Sequence, residues 1–326
     1  MKSLTIATVN VNGIRAAAKV RHEDNQGILP WLENTPADVV LMQEVRADEK
    51  QTRAALESVL DEWHLEQAPA AAKGRAGVAI LSRIPLREVQ VGFGDEEFAD
   101  SGRYIEATVD VGDLPVRVAS LYLPSGAAGT AKQDEKYRFL DSFGEYLNNR
   151  AGQGELVIGG DWNICHRRED LKNWKTNRKK SGYLPDERAF MDSVLGTFPD
   201  EATQVADAED AGRNGNPAGV AGDFFGAVDY APGEIAAARL AAGAAKDPQY
   251  FDVMRRVLPE QAGPYSWWTY RGQAFDTDAG WRIDLQVATR GMLERALSAN
   301  NVWVDKAAAY DQRWSDHSPV LVEYTC

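Results

Sequence analysis

The sequence predicts an α/β protein in which mixed β-sheets pack face to face with helices outside. Eight short, β-rich apolar runs alternate with helical patterns along the chain. Many of those runs are separated by hairpin-length gaps rather than helices, which a purely parallel doubly wound sheet does not allow. The 326 residues are 44% hydrophobic and include nine Trp, enough apolar surface for a sizeable core.

In chain order the runs are LTIATV (4–9), VVLMQ (39–43), GVAILS (77–82), YIEATVDV (104–111), VRVASLYL (116–123), LVIGG (156–160), IDLQVAT (283–289) and VLVEY (320–324). The fourth and fifth flank Gly112-Asp113, a turn dipeptide that predicts a hairpin. A helix is predicted over 48–63, where Leu56, Val59, Leu60 and Trp63 follow helical spacing and Asp48 with Gln51 resembles a capping box. A second is predicted over 131–149, with Leu140, Phe143 and Leu147 on one stripe. No internal repeat is visible, and one large domain over 1–326 is expected. Within it, residues 201–262 read as an acidic Ala/Gly-rich insertion, flexible at first and then helical. Ten acids against five bases give that stretch a local charge of −5.

The apolar stretch in MKSLTIATVNVNG is too short for a signal-peptide core, and no run approaches the ~18 apolar residues of a membrane span. The two cysteines, Cys165 and Cys326, support neither a disulfide framework nor a zinc site. A cytoplasmic protein with no membrane contact is therefore expected. A net charge of −13 argues against nucleic-acid binding if taken as a sum. Its distribution argues otherwise, because Arg167 to Lys180 holds seven bases against two acids, interleaved with Asn173, Trp174 and Asn177 and followed by Tyr183. Positive charge mixed with planar groups is what a nucleic-acid groove uses, although a solvated basic face would read the same way.

Several strands end in carboxylates or carboxamides. TIATV runs into Asn10 and Asn12, VVLMQ into Glu44, and LVIGG into Asp161-Trp162-Asn163, while Asp284 opens IDLQVAT and Asp316-His317 leads into the last strand. Strand ends hold side chains clear of the packed sheet on a rigid backbone, so sites collect there. Asp161 and Asn163 are two apart, which in extended backbone turns both to one side and Trp162 into packing. The oxygen-rich set with one imidazole suits a hard cation such as magnesium or manganese better than zinc. Each element also has a plain structural reading. Glu44 could cap the following helix, Asp284 could pair with Arg282, His317 could be a satisfied surface histidine, Gly159-Gly160 could serve close packing, and Tyr122 could be a half-buried strand aromatic.

Taken in order, TVNVNGIRA (8–16), LMQEVRA (41–47), GRYIEATV (102–109), SLYLPSG (120–126), GGDWNI (159–164), DLKNWKTNRKKSGYLPDER (170–188), YSWWTYR (265–271), GWRIDLQVAT (280–289) and WSDHSPV (314–320) resemble the exonuclease III and class II abasic-site endonuclease family, within the endonuclease/exonuclease/phosphatase superfamily. The resemblance implies a four-layer α/β sandwich with helices on both outer sides of two mixed sheets. It places Asn10, Glu44, Asp316, Asp161, Asn163 and His317 around a divalent metal, magnesium with manganese as a substitute. It makes Asp161 the group that orients or deprotonates the attacking water, with Asn163 and His317 on the scissile phosphate, Asp284 orienting His317 and Tyr122 nearby. It also makes Asn173, Asn177, Arg178 and Lys179 DNA contacts, and Trp267 and Trp281 the lining of a pocket for a flipped-out abasic sugar. The implied substrate is double-stranded DNA with abasic sites or 3′ ends, and the implied state is a monomer. Val45-Arg46 after Glu44, Ser125 in the Tyr-x-Pro motif and the 201–262 stretch depart from the family pattern.

Two other readings remain at this stage. A superfamily phosphodiesterase for RNA or another phosphoester would share the catalytic positions but gives no reason for the basic loop with GWRID. A nuclease-like binding module would show a gap among those positions, and there is none.

Overall fold

The computed structural model describes residues 2–198 and 224–326. In chain order its strands are β1 (Ser3–Asn10), β2 (Val39–Gln43), β3 (His64–Ala68), β4 (Val78–Ser82), β5 (Arg87–Val91), β6 (Tyr104–Val111), β7 (Leu114–Tyr122), β8 (Glu155–Asp161), β9 (Tyr250–Asp252), β10 (Asp284–Thr289), β11 (Val302–Val304) and β12 (Val320–Thr325). They form two six-stranded mixed sheets, ordered β11-β12-β1-β2-β4-β3 and β5-β6-β7-β8-β10-β9.

Three apolar layers hold the sheets and helices together. Leu4, Ile6 and Leu41 of the first sheet meet Ile105, Val118 and Val157 of the second in the central layer. Ala7, Val9 and Met42 point the other way, onto Ile14, Leu32 and Trp63. On the far side, Leu121, Ile158 and Leu285 pack against Phe139 and Phe143 of the helix Ala131–Arg150 and Phe190 of the helix Pro185–Leu195. This is the four-layer sandwich. Because the inner strands bury both faces, they read in the sequence as continuous apolar runs.

All eight expected strands are present, and they are the interior strands of the two sheets. The four that the apolar pattern did not reveal, β3, β5, β9 and β11, are the four edges. Edge strands are kept short or polar: β9 and β11 have three residues each, and REVQV of β5 is exposed along its whole length. The Gly112-Asp113 hairpin forms as expected, with Gly112 at φ 66 between paired Val111 and Leu114.

Asp48 and Gln51 do form a capping box, but the helix runs only from Glu49 to Ala55. A single 3-10 turn, Glu57–Val59, follows. Leu56, Val59 and Trp63 are nevertheless buried, so the expected stripe packs through a turn rather than a continuous helix.

The 201–262 stretch is described only in part. Residues 201–223 lie outside the described residues, and Glu234–Ala242 is helical. Tyr250–Asp252, however, pairs with β10 as an edge of the second sheet, and Phe251 enters the central layer. Its Ala/Gly-rich surroundings hid a three-residue strand. Among the described residues, no helix is long and apolar enough to cross a membrane.

Topology brings the polar strand ends to one end of the sandwich. β1 runs parallel to β2, β7 runs parallel to β8, and β12 and β10 run antiparallel to β1 and β8. The finishing ends of β1, β2, β7 and β8 therefore meet the starting ends of β10 and β12. Asp161 lies opposite Asp284 on one side and Tyr122 on the other. Gly159 and Gly160 allow this closeness. A Cβ on Gly159 would strike Leu41 of the facing sheet, and one on Gly160 would strike the Leu121 backbone.

Candidate active site

Asp161 ends β8 fully buried, and its two oxygens are already engaged. Asn10 Nδ2 donates to Oδ2 at 2.9 Å, and the backbone N–H of Asn163 donates to Oδ1 at 3.0 Å. Asn163 reaches the cleft through left-handed backbone, φ 51, and not by the extended geometry that its two-residue spacing suggests. Its side-chain amide donates to the Leu123 carbonyl at 2.8 Å, while Trp162 turns into the core as expected.

Asn12, Glu44 and Arg46 also adopt positive φ, at 47, 50 and 52. Non-glycine residues rarely sit there, and four such positions around one cleft mark backbone held in place by its surroundings.

Glu44 does not act as a helix cap. Its Oε1 accepts from Tyr122 Oη at 2.5 Å and from Asn10 Nδ2 at 3.2 Å, and its Oε2 pairs with Arg46. Asn10 thus turns its amide N–H groups toward both carboxylates while its Oδ1 accepts from the Asn12 backbone at 2.9 Å. Asp316 accepts from Asn12 Nδ2 at 2.8 Å and from Trp267 Nε1 at 3.0 Å. Asn12 and Arg46 are among the site residues that sequence reasoning left unassigned. The signal for both was their place inside the motifs that carry Asn10 and Glu44.

His317 lies in the turn just before β12, bridged to Trp267. Its Nδ1 is 2.8 Å from Asp284 Oδ2, and its Nε2 faces Asp161 Oδ2 at 3.9 Å. Burial opposes charge on the imidazole, but the Asp284 and Asp161 carboxylates outweigh it and push the pKa up to about 10. Burial likewise pushes the Asp161 carboxyl up, to about 7, although the His317 cation draws it back down. Burial and the neighbouring Glu44 carboxylate raise Tyr122, so its hydroxyl stays protonated.

Arg282 is not the partner of Asp284. It is fully buried, and Arg282 Nε is 2.7 Å from Asp170 while Arg282 Nη2 is 2.5 Å from Asp252. Arg255 joins the same network 2.5 Å from Asp170.

The cleft is about 750 Å³ and is walled by Tyr122, Asp161, Asn163, Asp316 and His317 together with Trp267 and Trp281. The two indoles meet edge to face at 6.0 Å, with Trp267 tilted against His317 at 6.4 Å. Asn173, Asn177 and Lys180 of the basic stretch line the same cleft. Arg178 and Lys179 do not, the latter pointing to solvent beside it, and Arg167 is buried. The basic island is therefore not one continuous face. Among the described residues, one group of Asp161, Asp284 and His317 has ligand atoms within 4.8 Å of one another and could hold a metal ion. Asp284 and His317 are hydrogen-bonded to each other within it.

The sequence profile of the Endonuclease/Exonuclease/phosphatase family matches residues 7–317, a span running from β1 to His317 and enclosing this whole cleft. The chain belongs to that family. Curated relatives include an exodeoxyribonuclease of Bacillus subtilis, 26% identical over 311 residues and 95% of each chain. The DNA repair nuclease APEX1 of Danio rerio is 27% identical over 321 residues, 98% of this chain and 82% of that one. Among solved structures, an AP endonuclease from Archaeoglobus fulgidus superposes with TM-score 0.69 at 22% identity, covering 99% of this chain and 100% of that one. A 3′-5′ exonuclease from Neisseria meningitidis gives TM-score 0.69 at 24% identity with the same coverage. Both share the fold of this chain.

Proposed function

We propose that the chain is a divalent-metal-dependent DNA-repair phosphodiesterase that cuts 5′ to abasic sites and trims 3′ ends of duplex DNA. The observation that carries this reading is the convergence, in one cleft, of Asp161 and the His317–Asp284 pair with two indoles and the tip of a basic loop. Relatives named as an exodeoxyribonuclease and a DNA repair nuclease, aligned over nearly the whole chain, support the substrate class.

The donor set fits a hard cation. Glu44, Asp161 and Asp316 present carboxylates to the cleft wall, and Asp284 Oδ1 is buried with no hydrogen-bond partner. Glu44 and Asp316 would hold a magnesium ion, with Asn10 supporting Glu44 through its amide. Bound magnesium, or manganese in its place, supplies charge neutralisation to the phosphate oxygens.

The remaining chemistry belongs to side chains. Asp161 accepts a proton from the attacking water, and its raised pKa makes it a stronger base than an ordinary carboxylate. His317, kept protonated and oriented by Asp284, donates a hydrogen bond where negative charge develops on the phosphate. The Tyr122 and Asn163 side chains, on the same wall, orient the phosphodiester. A base-less nucleotide is cheap to extrude from the duplex, and Trp267 with Trp281 offers its sugar an apolar pocket. Asn173, Asn177 and Lys180 at the cleft wall, with Arg178 and Lys179 beyond it, grip the DNA backbone. With this goes a monomer acting in the cytoplasm.

The test is an end-labelled duplex carrying one abasic analogue, incubated with magnesium or with a chelator. Incision immediately 5′ to the analogue, with shortening of 3′ ends, is expected with magnesium alone. An intact duplex under both conditions, or cleavage of an RNA strand in preference to DNA, would overturn the reading.

A further inference from the structure

Behind the cleft wall, Lys136 and Glu187 form an ion pair at 2.7 Å in which both side chains are fully buried. Neither lines the cleft, yet together they touch three segments of that wall, at Ser125, Asn163 and Ser181-Gly182. Lys136 Nζ donates to the backbone carbonyl of Asn163 at 2.9 Å and to that of Ser125 at 3.4 Å. On the other side, Glu187 Oε2 accepts the backbone N–H groups of Gly182 at 2.7 Å and Leu184 at 2.9 Å, and its Oε1 accepts from Gln133 Nε2 at 3.0 Å with Ser181 Oγ 3.1 Å away. Ser181 closes the ring by donating to the Ser125 carbonyl at 2.7 Å.

An independent observation shows how little slack this cluster has. Gly126, at φ 69, sits so close that a Cβ there would strike Ser181, Gln133 and Lys136. Burying a charge pair in an interior is costly unless it is fully hydrogen-bonded, and this pair serves mainly backbone groups at Ser125, Asn163 and Gly182-Leu184.

Resting on the nuclease reading above, we propose that Lys136 and Glu187 are positioning residues that lock the DNA-gripping loop in register with the Asn163 side of the phosphate site. Lys136 fixes the backbone from which the Asn163 side chain projects. Glu187 fixes the tip of the basic loop, where Trp281 packs over Gly182. The pair makes the two one rigid unit, so a duplex gripped by the loop presents its phosphate at the reacting groups.

The test compares Lys136→Met, Glu187→Gln and the double variant, well below their melting temperatures. It reads kcat and KM on the abasic duplex, the affinity for an abasic duplex in chelator, and hydrogen exchange of the Gly182 and Leu184 amides in free protein. For Lys136→Met, kcat is expected to fall on the order of ten- to a hundredfold with affinity nearly kept, because small misplacements of a reacting geometry are expensive. For Glu187→Gln, the two amides should exchange faster and affinity should drop about tenfold or more, with a smaller change in kcat. The double variant removes both charges, so its melting temperature should recover toward that of the wild type while both kinetic defects persist.

Wild-type kcat and affinity in the single variants, or kinetic defects that vanish when the double variant regains stability, would overturn the proposal and leave a purely structural ion pair. If the wild type itself fails to incise, the nuclease reading falls. The exchange measurement then decides the link separately: unchanged protection in Glu187→Gln would overturn it.

Discussion

His317 carries the most legible chemistry at the scale of a single residue. Its raised pKa, about 10, means that the stability drawn from the Asp284 pair is fully present below the ordinary histidine pKa of ~6.5 and is lost as pH rises through 10. In metal-free protein the imidazole should therefore remain protonated through neutral pH, as read from its NMR shifts. Asp284→Asn should bring its titration down; a titration that stays high would mean that Asp284 is not its source. Asp161→Asn and His317→Ala should each lower incision by ~10²–10⁴-fold while the circular dichroism spectrum is kept. Near-normal turnover in either would remove it from the mechanism. The identities of these residues were visible as polar groups ending apolar strands, but their partners were not. Asp284 two residues after Arg282 suggested an ion pair, and only the fold showed that Arg282, placed before β10 begins, reaches Asp170 and Asp252 while Asp284 meets His317.

Arg282 matters at the scale of elements. Together with Arg255 it ties the start of the basic loop, through Asp170, and the edge strand β9, through Asp252, to the chain leading into β10. Burial alone would push the Asp170 carboxyl up, but Arg282 and then Arg255 hold it well below the usual carboxylate range. The sign follows from that depression: this stability is present above the unfolded pKa of ~3.9 and is lost as pH falls toward the folded value. Asp170→Asn leaves buried arginine charge uncompensated and should cost about 3–5 kcal/mol in urea unfolding at neutral pH. The gap from the wild type should narrow below about pH 4; a gap independent of pH would mean that the carboxylate charge is not what stabilises. Gly160→Ala should also destabilise, since its Cβ would strike the Leu121 backbone across the β7–β8 pair. Interior strands announced themselves through apolar runs, whereas the edges could not, because β3 and β5 are polar and β9 and β11 are only three residues long, devices that keep an edge from pairing with another chain.

Across the whole molecule, an acidic chain with net charge −13 has to bind a polyanion through a local patch. The patch is smaller than the run of seven bases suggests, since Arg167 is buried and Lys180 is the one that faces the cleft among Arg178, Lys179 and Lys180. Lys180→Ala should weaken duplex binding uniformly across sequences and lower the slope of log affinity against log salt by about one. An unchanged slope would mean that Lys180 touches no phosphate.

By itself the sequence determined the layered α/β class, the eight interior strands and most of the groups that meet in the cleft. Those rest on local patterning, apolar period and strand-end chemistry, which a chain displays before it folds. Tertiary structure alone decided that Asn10 turns its amide to two carboxylates, that Arg46 sits on Glu44, that β9 belongs to the sheet, and that Lys136 meets Glu187 behind the wall. Each of these joins residues between two and 151 positions apart through space. No spacing rule encodes which of several buried charges ends up beside which, because that choice is made by the packing of both sheets at once.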